Sequence, residues 1–436
     1  MNLFSKIVVF SFGFIWCFLF EIPSVSFLLA GDWPQWRGPG RDGIWQEKGI
    51  FTRFDQPQLP ILWRAPVANG YSGPTVANGR VYVTDRLVNP LEKERIHCLD
   101  ALTGREIWSH SYDCHYQSVA YPNGPRAAVT IQDNRAYSLG MMGNLFCYDA
   151  EKGDIIWSRD LLPEYKIKMP VWGIAASPLI ENNLLIVVIG GADHACLVAF
   201  DKGTGKEIWR ALDDVINYSS PIVIDQAGKR LLICWTAEQV LGLDPASGNL
   251  YWQQPFSASM GIATPVVDDH FLFVSDFFEG SLLLQLHSDR PAVTQVWQRK
   301  GKNEQNTDSL HCCISTPIME GNYIYGVDSY GELRCLERLT GNRIWESLSA
   351  VPKARWANIH MVRNGQQTWM FNERGELIIS QLSPQGYQEI SRSHLINPTL
   401  GQLDQRGGVC WSHPAFANQH VYIRNDEEIV CASLKE

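Results

Sequence analysis

A short spacing of three residue types recurs along the chain and constrains its fold more than any other feature. An acidic residue is followed four positions later by Gly and four positions after that by Trp. The copies are Asp100/Gly104/Trp108, Asp149/Gly153/Trp157, Asp201/Gly205/Trp209, Asp244/Gly248/Trp252 and Glu337/Gly341/Trp345. A β-hairpin explains this spacing, because the carboxylate can accept hydrogen bonds from turn N–H groups and Gly supplies a positive φ. The Trp then begins the returning strand, where it can wedge between neighbouring sheets.

Each hairpin is preceded by a second recurring element, two short apolar runs separated by polar turn residues, which predicts a pair of strands. The eight copies begin at Ser72, Arg126, Ser177, Ser220, Thr264, Thr316, Asn358 and His413. Trp ends six of these units, and the seventh ends less distinctly near Ile390. The eighth unit has only three strands before the sequence stops, so one strand is missing from it.

The segment Pro60–Arg64 looks like the last strand of a unit, although it precedes the first unit. A strand from one end of the chain that completes a sheet from the other end removes exposed edges and closes a ring. The sequence therefore predicts an all-β fold, an eight-bladed β-propeller of four-stranded antiparallel blades over residues 59–436. The alternative, a pair of β-sandwiches, needs neither a hairpin in fixed register nor a displaced strand.

Residues 1–30 have the layout of an export signal, with Lys6 ahead of an uncharged apolar stretch from Ile7 to Phe20. That stretch is shorter than the roughly 20 residues that a transmembrane helix needs, which favours a cleaved signal peptide over an N-terminal anchor. Residues 31–58 form an N-terminal extension ahead of the propeller. We therefore expect a protein exported to the periplasm or the cell envelope.

Charge and cysteine content narrow the class of protein. The 46 acidic residues outnumber the 37 basic ones and give a net charge of −9, which argues against a nucleic-acid partner. Disulfide frameworks belong mostly to short exported chains, and this chain is long enough to build a core. Cys98, Cys147, Cys335 and Cys431 fall at one position of the repeat, which predicts buried thiols packed inside strands.

Four of the hairpins resemble a known repeat. They are CLDALTGREIW (98–108), AFDKGTGKEIW (199–209), GLDPASGNLYW (242–252) and CLERLTGNRIW (335–345). They look like the tryptophan-docking repeats of the propellers of pyrroloquinoline-quinone (PQQ) dehydrogenases and their relatives. The segment DWPQWRGPGRDGI (32–44) is similar to the start of exported PQQ-like propeller proteins of planctomycetes. The same repeat family includes the propeller subunit of the outer-membrane β-barrel assembly machinery, a non-catalytic scaffold.

In a propeller, the loops between blades and the turns after the second strands open on one face around the central channel, where we expect function to lie. The candidate ligand-binding ring on this channel face is Arg86, Arg126, Trp172, Tyr218, His311, Asp328, Trp356, His360, Glu373, Trp411, His413 and Asp426. The functional interpretation is a polar funnel floored by the aromatic members, with imidazoles that can donate, accept or bind a metal. The structural interpretation is that crowded short loops simply plug the channel.

Two further features bear on cofactor chemistry. By the resemblance, the adjacent Cys312 and Cys313 would close the strained disulfide ring of PQQ dehydrogenases, yet they lead into the sixth unit whereas the family's pair lies early in the chain. Carboxylates offer oxygen ligands for Ca²⁺, although such residues more often cap turns. The candidates are Asp276, Asp328, Glu373 and Asp426. The sequence contains no nucleophile elbow, P-loop, dinucleotide fingerprint or HExxH motif.

The favoured hypothesis is an exported, non-catalytic propeller that presents its channel face and blade edges to a protein or envelope partner, or binds a small polar ligand there. The first alternative, implied by the resemblance, is a PQQ- and Ca²⁺-dependent alcohol- or sugar-type dehydrogenase with a carboxylate base among Asp276, Asp328 and Asp426. The second alternative is a carbohydrate-binding propeller, for which Trp and Tyr beside carboxylates are suitable. We expect no resident metal, and membrane contact only through an uncleaved N-terminal segment.

Overall fold

The computed structural model describes residues 31–56 and 58–436, so the predicted signal peptide or anchor at residues 1–30 lies outside the described residues. The described residues form eight antiparallel sheets of four strands each. Helical structure in them is limited to α1 (Leu161–Glu164) and one 3₁₀ turn (Gln405–Gly407). None of the helices in this described part is long and apolar enough to cross a bilayer.

The first strand, β1 (Ile61–Pro66), belongs to the last blade, and the other strands follow in order, four to a blade. Blades 1 to 4 contain β2 (Thr75–Ala77), β3 (Arg80–Leu87), β4 (Lys93–Asp100), β5 (Glu106–Asp113); β6 (Thr130–Gln132), β7 (Arg135–Leu139), β8 (Asn144–Asp149), β9 (Ile155–Asp160); β10 (Leu179–Glu181), β11 (Leu184–Val188), β12 (Leu197–Asp201), β13 (Glu207–Ala211); and β14 (Ile222–Gln226), β15 (Lys229–Trp235), β16 (Gln239–Leu243), β17 (Leu250–Pro255).

Blades 5 to 8 contain β18 (Val266–Asp268), β19 (Phe271–Asp276), β20 (Gly280–Leu286), β21 (Val293–Arg299); β22 (Ile318–Glu320), β23 (Tyr323–Val327), β24 (Leu333–Glu337), β25 (Arg343–Ser347); β26 (Ile359–Asn364), β27 (Gln367–Asn372), β28 (Glu376–Ser383), β29 (Gly386–His394); and β30 (Ala415–Ala417), β31 (His420–Arg424), β32 (Glu428–Ser433). Innermost strands of neighbouring blades lie against each other, as β2 does against β30 and β6, β6 against β10, and β18 against β22. The predicted eight-bladed propeller is confirmed.

The predicted ring closure is also confirmed. Strand β1 pairs antiparallel with β32, placing Trp63 opposite Cys431 and Arg64 opposite Val430. The last blade therefore takes its outermost strand from the N-terminal end of the propeller, and its Trp63 bridges blades 8 and 1 as other repeat Trp residues bridge five further seams. Closure in this way pairs the edge of β32 that would otherwise be exposed at the junction of the two chain ends.

The recurring hairpin has the predicted geometry. The Asp100 carboxylate accepts hydrogen bonds from the N–H of Thr103 at 2.8 Å and from its hydroxyl at 2.7 Å. Gly104 has a φ of 69°, and its N–H donates to the carbonyl of Asp100 at 2.9 Å. A carboxylate at the first position and glycine at the fifth therefore close the turn, because most other residues would be strained at that φ.

Each repeat Trp lies in an outermost strand, and most of the indoles bridge to the following blade. The indole N–H of Trp63 donates to Ala101 O at 2.9 Å, and the equivalent bonds run from Trp108 to Ala150, Trp157 to Lys202, Trp209 to Pro245, Trp297 to Arg338 and Trp345 to Ser383. Trp252 is the exception and donates to Gln226 in its own blade. A Cβ on Gly104 would lie 2.5 Å from the Trp63 ring, so the hairpin glycine also makes room for the neighbouring indole.

The four cysteines of the repeat lie opposite these indoles. Cys98, Cys147, Cys335 and Cys431 pair across the sheet with Trp108, Trp157, Trp345 and Trp63 respectively. All four are fully buried free thiols, as predicted. Burial raises the pKa of the Cys98 thiol to about 12, so these thiols are inert packing groups that leave space for the large ring.

Residues 33–45 of the extension run through the central channel. The backbone of Trp33 exchanges two hydrogen bonds of 2.8 Å with Val76 in the innermost strand of blade 1. The N–H of Trp45 donates to Arg363 O at 2.7 Å in the innermost strand of blade 7, which only blade 8 separates from blade 1. Between them, Arg41 donates to the carbonyls of Ser177, Pro178 and Pro221, which lead into the innermost strands of blades 3 and 4.

The rest of the extension packs over blades 7 and 8. The Trp45 ring lies 5.4 Å from the Trp369 ring and 5.0 Å from the Phe416 ring, and Phe54 lies 5.8 Å from Trp369. The N–H of Phe54 donates to the hydroxyl of Ser391 in β29. Blade 7 ends without a repeat Trp, and these rings from the extension supply much of the apolar packing against blades 7 and 8.

Candidate functional site

A blind funnel opens on the face formed by the inter-blade loops and the turns after the second strands. Its cavity has a volume of about 220 Å³ and lies around the propeller axis. The extension supplies its floor, because the Trp36 side chain lines the cavity and its indole N–H donates to the Thr264 hydroxyl at 2.8 Å. Within the described residues, the extension therefore closes the channel below the funnel, and the cavity opens on the loop face.

Seven members of the predicted ring line this cavity. They are Arg126, Trp172, Tyr218, Trp356, His360, Trp411 and His413. The wall is mainly aromatic, with Trp172 and Tyr218 4.7 Å apart and the Tyr121 and Trp356 rings 6.5 Å apart in an edge-to-face arrangement. The cavity thus differs from the polar funnel that the sequence predicted, since the loop carboxylates point elsewhere.

The other five ring members bond within the loops and do not line the cavity. His311 is fully buried, with its N–H bonded to Asp328 at 2.7 Å and its Nδ1 bonded to Phe277 O at 3.0 Å. Asp328 is held by this N–H and by the Thr307 hydroxyl at 2.6 Å, and it forms an ion pair with Arg334 at 3.0 Å. These two side chains therefore fasten the loop between blades 5 and 6.

Arg86, Glu373 and Asp426 are similarly engaged. The Arg86 guanidinium pairs with Glu92 at 3.2 Å and lies 3.9 Å above the Tyr116 ring. Glu373 accepts from Arg406 at 2.7 Å and from the Trp411 indole at 3.0 Å. Asp426 accepts from the amide of Asn123 at 2.6 Å and from the N–H of Gln402 at 3.2 Å. These groups position the loops that surround the funnel.

The two histidines of the funnel wall are neutral near pH 7. Burial lowers the pKa of His360 to about 4 and that of His413 to about 3. The Nε2 atom of His360 lies 2.8 Å from the carbonyl oxygen of Trp411, and this contact holds the two neighbouring loops together. The His413 ring stands edge-on to Trp36 at 4.7 Å and so packs against the floor. Neither ring brings a positive charge to the cavity.

Positive charge comes instead from two arginines. Arg126 donates to the carbonyls of Trp172 and Tyr121, both at 2.9 Å, and its guanidinium lies 4.1 Å above the Tyr71 ring. Burial lowers the pKa of Arg126, since no ion pair compensates its charge within the described residues. Arg355 pairs with Glu304 at 2.6 Å, which raises the pKa of its guanidinium. Among the described residues, no acidic side chain lines the cavity.

The residues of this face do not fit a Ca²⁺-bound quinone site. Asp276 accepts three backbone N–H groups at 2.7 Å, from Met260, Phe278 and Glu279. The carboxylates of Asp328, Glu373 and Asp426 are occupied as described above, and no three acidic, His or Cys side chains converge in the described part of the chain. Cys312 and Cys313 are buried free thiols. The oxygen ligands that Ca²⁺ needs are therefore already used to fasten loops.

Sequence reasoning missed several residues of the cavity wall. Trp36 reaches it through the extension, a path that no local pattern encodes. Tyr71, Tyr121, Met260, Cys313 and Arg355 also line it and lie in the inter-blade loops. Their position in those loops was the available signal, whereas the direction of each side chain depends on tertiary packing.

The chain matches the family model described as outer membrane protein assembly factor BamB over residues 47–111 and 92–347. A curated relative, the quinohemoprotein alcohol dehydrogenase ADH-IIG of Pseudomonas putida, is 29% identical over 161 residues, which are 35% of this chain and 21% of the relative. The chain spans 25% and 40% of the lengths of two further curated relatives. It therefore matches only part of these proteins.

Two solved structures have a similar fold. BamB from Moraxella catarrhalis has a TM-score of 0.59 at 15% identity, over 86% of this chain and 99% of that one. Quinohemoprotein alcohol dehydrogenase from Comamonas testosteroni has a TM-score of 0.64 at 11% identity, over 93% and 81%. With the family model covering more than half of its residues, the chain belongs to the PQQ-like β-propeller family described as outer membrane protein assembly factor BamB.

Proposed function

We propose that this protein is an exported binding or scaffold propeller of the cell envelope that holds a protein partner at its channel face. In this proposal residues 1–30 direct export, residues 31–58 form the extension, and residues 59–436 form a single propeller. The indoles that bridge neighbouring blades act as the docking residues of the repeat. Family membership and the likeness to a BamB structure support a scaffold role.

The apolar mouth of the funnel carries this proposal. Val171 is 61% exposed, Tyr121 40% and Phe278 38%, and all three surround or adjoin the aromatic wall. Apolar side chains grouped at the opening of a cavity are typical of interaction sites. Burying one such side chain under a partner contributes about 1.5–3 kcal/mol, so a few of them can hold a partner without any catalytic group.

The alternatives have less support from this geometry. A PQQ- and Ca²⁺-dependent dehydrogenase would need free carboxylates at the funnel, and Asp276, Asp328 and Asp426 are all occupied by loop hydrogen bonds. A carbohydrate site would place carboxylates beside the rim aromatics, and the cavity wall contains none. Both the dehydrogenase and the carbohydrate-binding hypothesis therefore lack the polar groups that they need.

Site-specific photo-crosslinking in the native host tests the proposal. A benzophenone amino acid at Val171 would lie at the funnel mouth, and one at Leu339, 55% exposed in a hairpin on the opposite face, is the matched control. We expect a discrete protein adduct from position 171 and none of the same mass from position 339. No adduct at position 171, or the same adduct from both positions, would contradict the proposal.

Titration with PQQ and Ca²⁺ tests the main alternative on the same purified protein. Retention of the quinone absorbance after desalting, together with a rise in melting temperature, would favour the dehydrogenase over the scaffold. We expect neither change.

A further inference from the structure

We propose that the funnel captures the C-terminal residue of a partner protein, an aromatic residue with a free carboxylate. This inference rests on the proposed function and specifies the chemistry of the partner segment. It follows from three properties of the cavity, namely its closed floor, its charge and its size.

The closed floor determines how a chain can enter. Trp36 blocks the channel below the cavity and is fixed there by its hydrogen bond to Thr264. An extended segment cannot pass through a blind funnel, so the partner must insert either one side chain or a chain end. A cavity of about 220 Å³ is smaller than the roughly 300–1,000 Å³ of drug-sized sites and suits about one aromatic residue.

The charge of the cavity favours the chain end. Arg126 lines it and contacts carbonyl oxygens and Tyr71, and no carboxylate among the described lining residues offsets its charge. Beneath the floor, the extension brings Arg37 and Arg41 into the channel, and burial lowers their pKa values to about 10 and about 9. A terminal carboxylate supplies the missing negative charge next to a donor-rich wall.

The walls favour an aromatic residue at that end. Trp172 and Tyr218 form one side of the cavity, with ring centroids 4.7 Å apart, and Trp356 lies across from Tyr121. Aromatic rings gain from edge-to-face and offset contacts with such walls beyond the area that they bury. The same residue thus places its ring among the indoles and its carboxylate toward Arg126.

Binding of matched peptides to the full chain tests this inference. The probes are a short peptide ending in Phe with a free carboxylate, the same peptide as its C-terminal amide, and the peptide ending in Ala. Isothermal titration should show the free acid binding at least about tenfold more tightly than the amide, since a hydrogen-bonded charge is worth about this much. The Ala peptide should bind more weakly than the Phe peptide.

Variants of Arg126 test whether this residue causes the preference for the free acid over the amide. In Arg126→Met the acid and amide should bind alike, whereas Arg126→Lys, which keeps the charge, should retain part of the preference. Equal binding of acid and amide to the unaltered protein, or no binding of either, would overturn the inference whether or not the variants fold. Tighter binding of N-acetylphenylalanine than of the peptide would also overturn it, because the ligand would then be a free aromatic acid.

The crosslinking experiment separates this inference from the proposed function. An adduct at position 171 with no preference for the free acid would leave the scaffold role standing and remove the chain-end assignment. An absent adduct with a clear preference for the free-acid peptide would support the chain-end assignment and count against the scaffold role.

Discussion

Trp63 is the residue at which closure of the ring can be tested quantitatively. It is 8% exposed, packs 5.9 Å from the Tyr422 ring, and donates its indole N–H to Ala101 O in blade 1. Truncating a buried Trp to Ala typically costs about 3–5 kcal/mol. The Tyr422 hydroxyl still reaches the Ala101 carbonyl at 3.4 Å, so little is added for an unpaired acceptor. We expect Trp63→Ala to lower the free energy of unfolding by about 4 kcal/mol.

Two matched variants separate closure from general packing. Ile107→Ala changes a residue of β5 that is 43% exposed, and it should cost less than about 1 kcal/mol. Trp252→Ala removes an indole of equal burial, 7% exposed, whose N–H bonds within its own blade. It should cost about as much as Trp63→Ala in denaturant unfolding without loosening the seam between blades 8 and 1.

Hydrogen exchange provides the readout for the seam. Alternate amides of β32 point toward β1, and Ser433 N–H donates to Pro60 O, so exchange at Cys431 and Ser433 should accelerate in Trp63→Ala and stay unchanged in Trp252→Ala. A cost below about 1 kcal/mol for Trp63→Ala, or equal exchange in the two Trp variants, would refute the closure by β1.

Two further predictions concern the hairpin glycines and the buried histidines. Gly205 and Gly228 both have φ near 70°, but only a Cβ at position 205 would meet an indole, at 2.7 Å. Gly205→Ala should therefore lower the free energy of unfolding by about 1–3 kcal/mol more than Gly228→Ala in denaturant unfolding. Equal costs for the two variants would contradict the packing role of Gly205. Burial lowers the pKa of His360 to about 4 in the folded chain, so between pH 7 and 5 only the unfolded chain protonates this ring. The free energy of unfolding should therefore decrease by about 2 kcal/mol from this ring as the pH falls from 7 to 5, and His360→Gln should remove that decrease.

The sequence specified the blades more fully than the site. Asp100, Gly104 and Trp108 act within one hairpin and its nearest neighbour, so their spacing reports the local geometry directly. The closing strand could be found in the same way, because Trp63 keeps the pattern of a last strand outside its unit. Long-range packing produces no such local pattern, so residues 31–45 did not predict that Trp36 would lie in the channel.

In the candidate ring, too, the sequence located some side chains correctly and did not predict the direction of others. Trp172, Tyr218 and Trp411 were placed at the funnel because their loops lead toward the axis. Asp328 and Glu373 occupy equivalent loops, yet their carboxylates turn to Arg334 and Arg406. A carboxylate's partner depends on which cation packing brings near it, and this information does not lie in the spacing of one loop.

A disulfide between Trp33→Cys and Val76→Cys tests directly whether the extension closes the channel into a blind funnel. Their backbones exchange two 2.8 Å hydrogen bonds, which places antiparallel Cα atoms about 5.5 Å apart, within the range for a disulfide. We expect near-complete oxidation of this pair and none between Trp33→Cys and Val266→Cys on the opposite blade. No bond between 33 and 76, or equal bonding of both pairs, would contradict this closure.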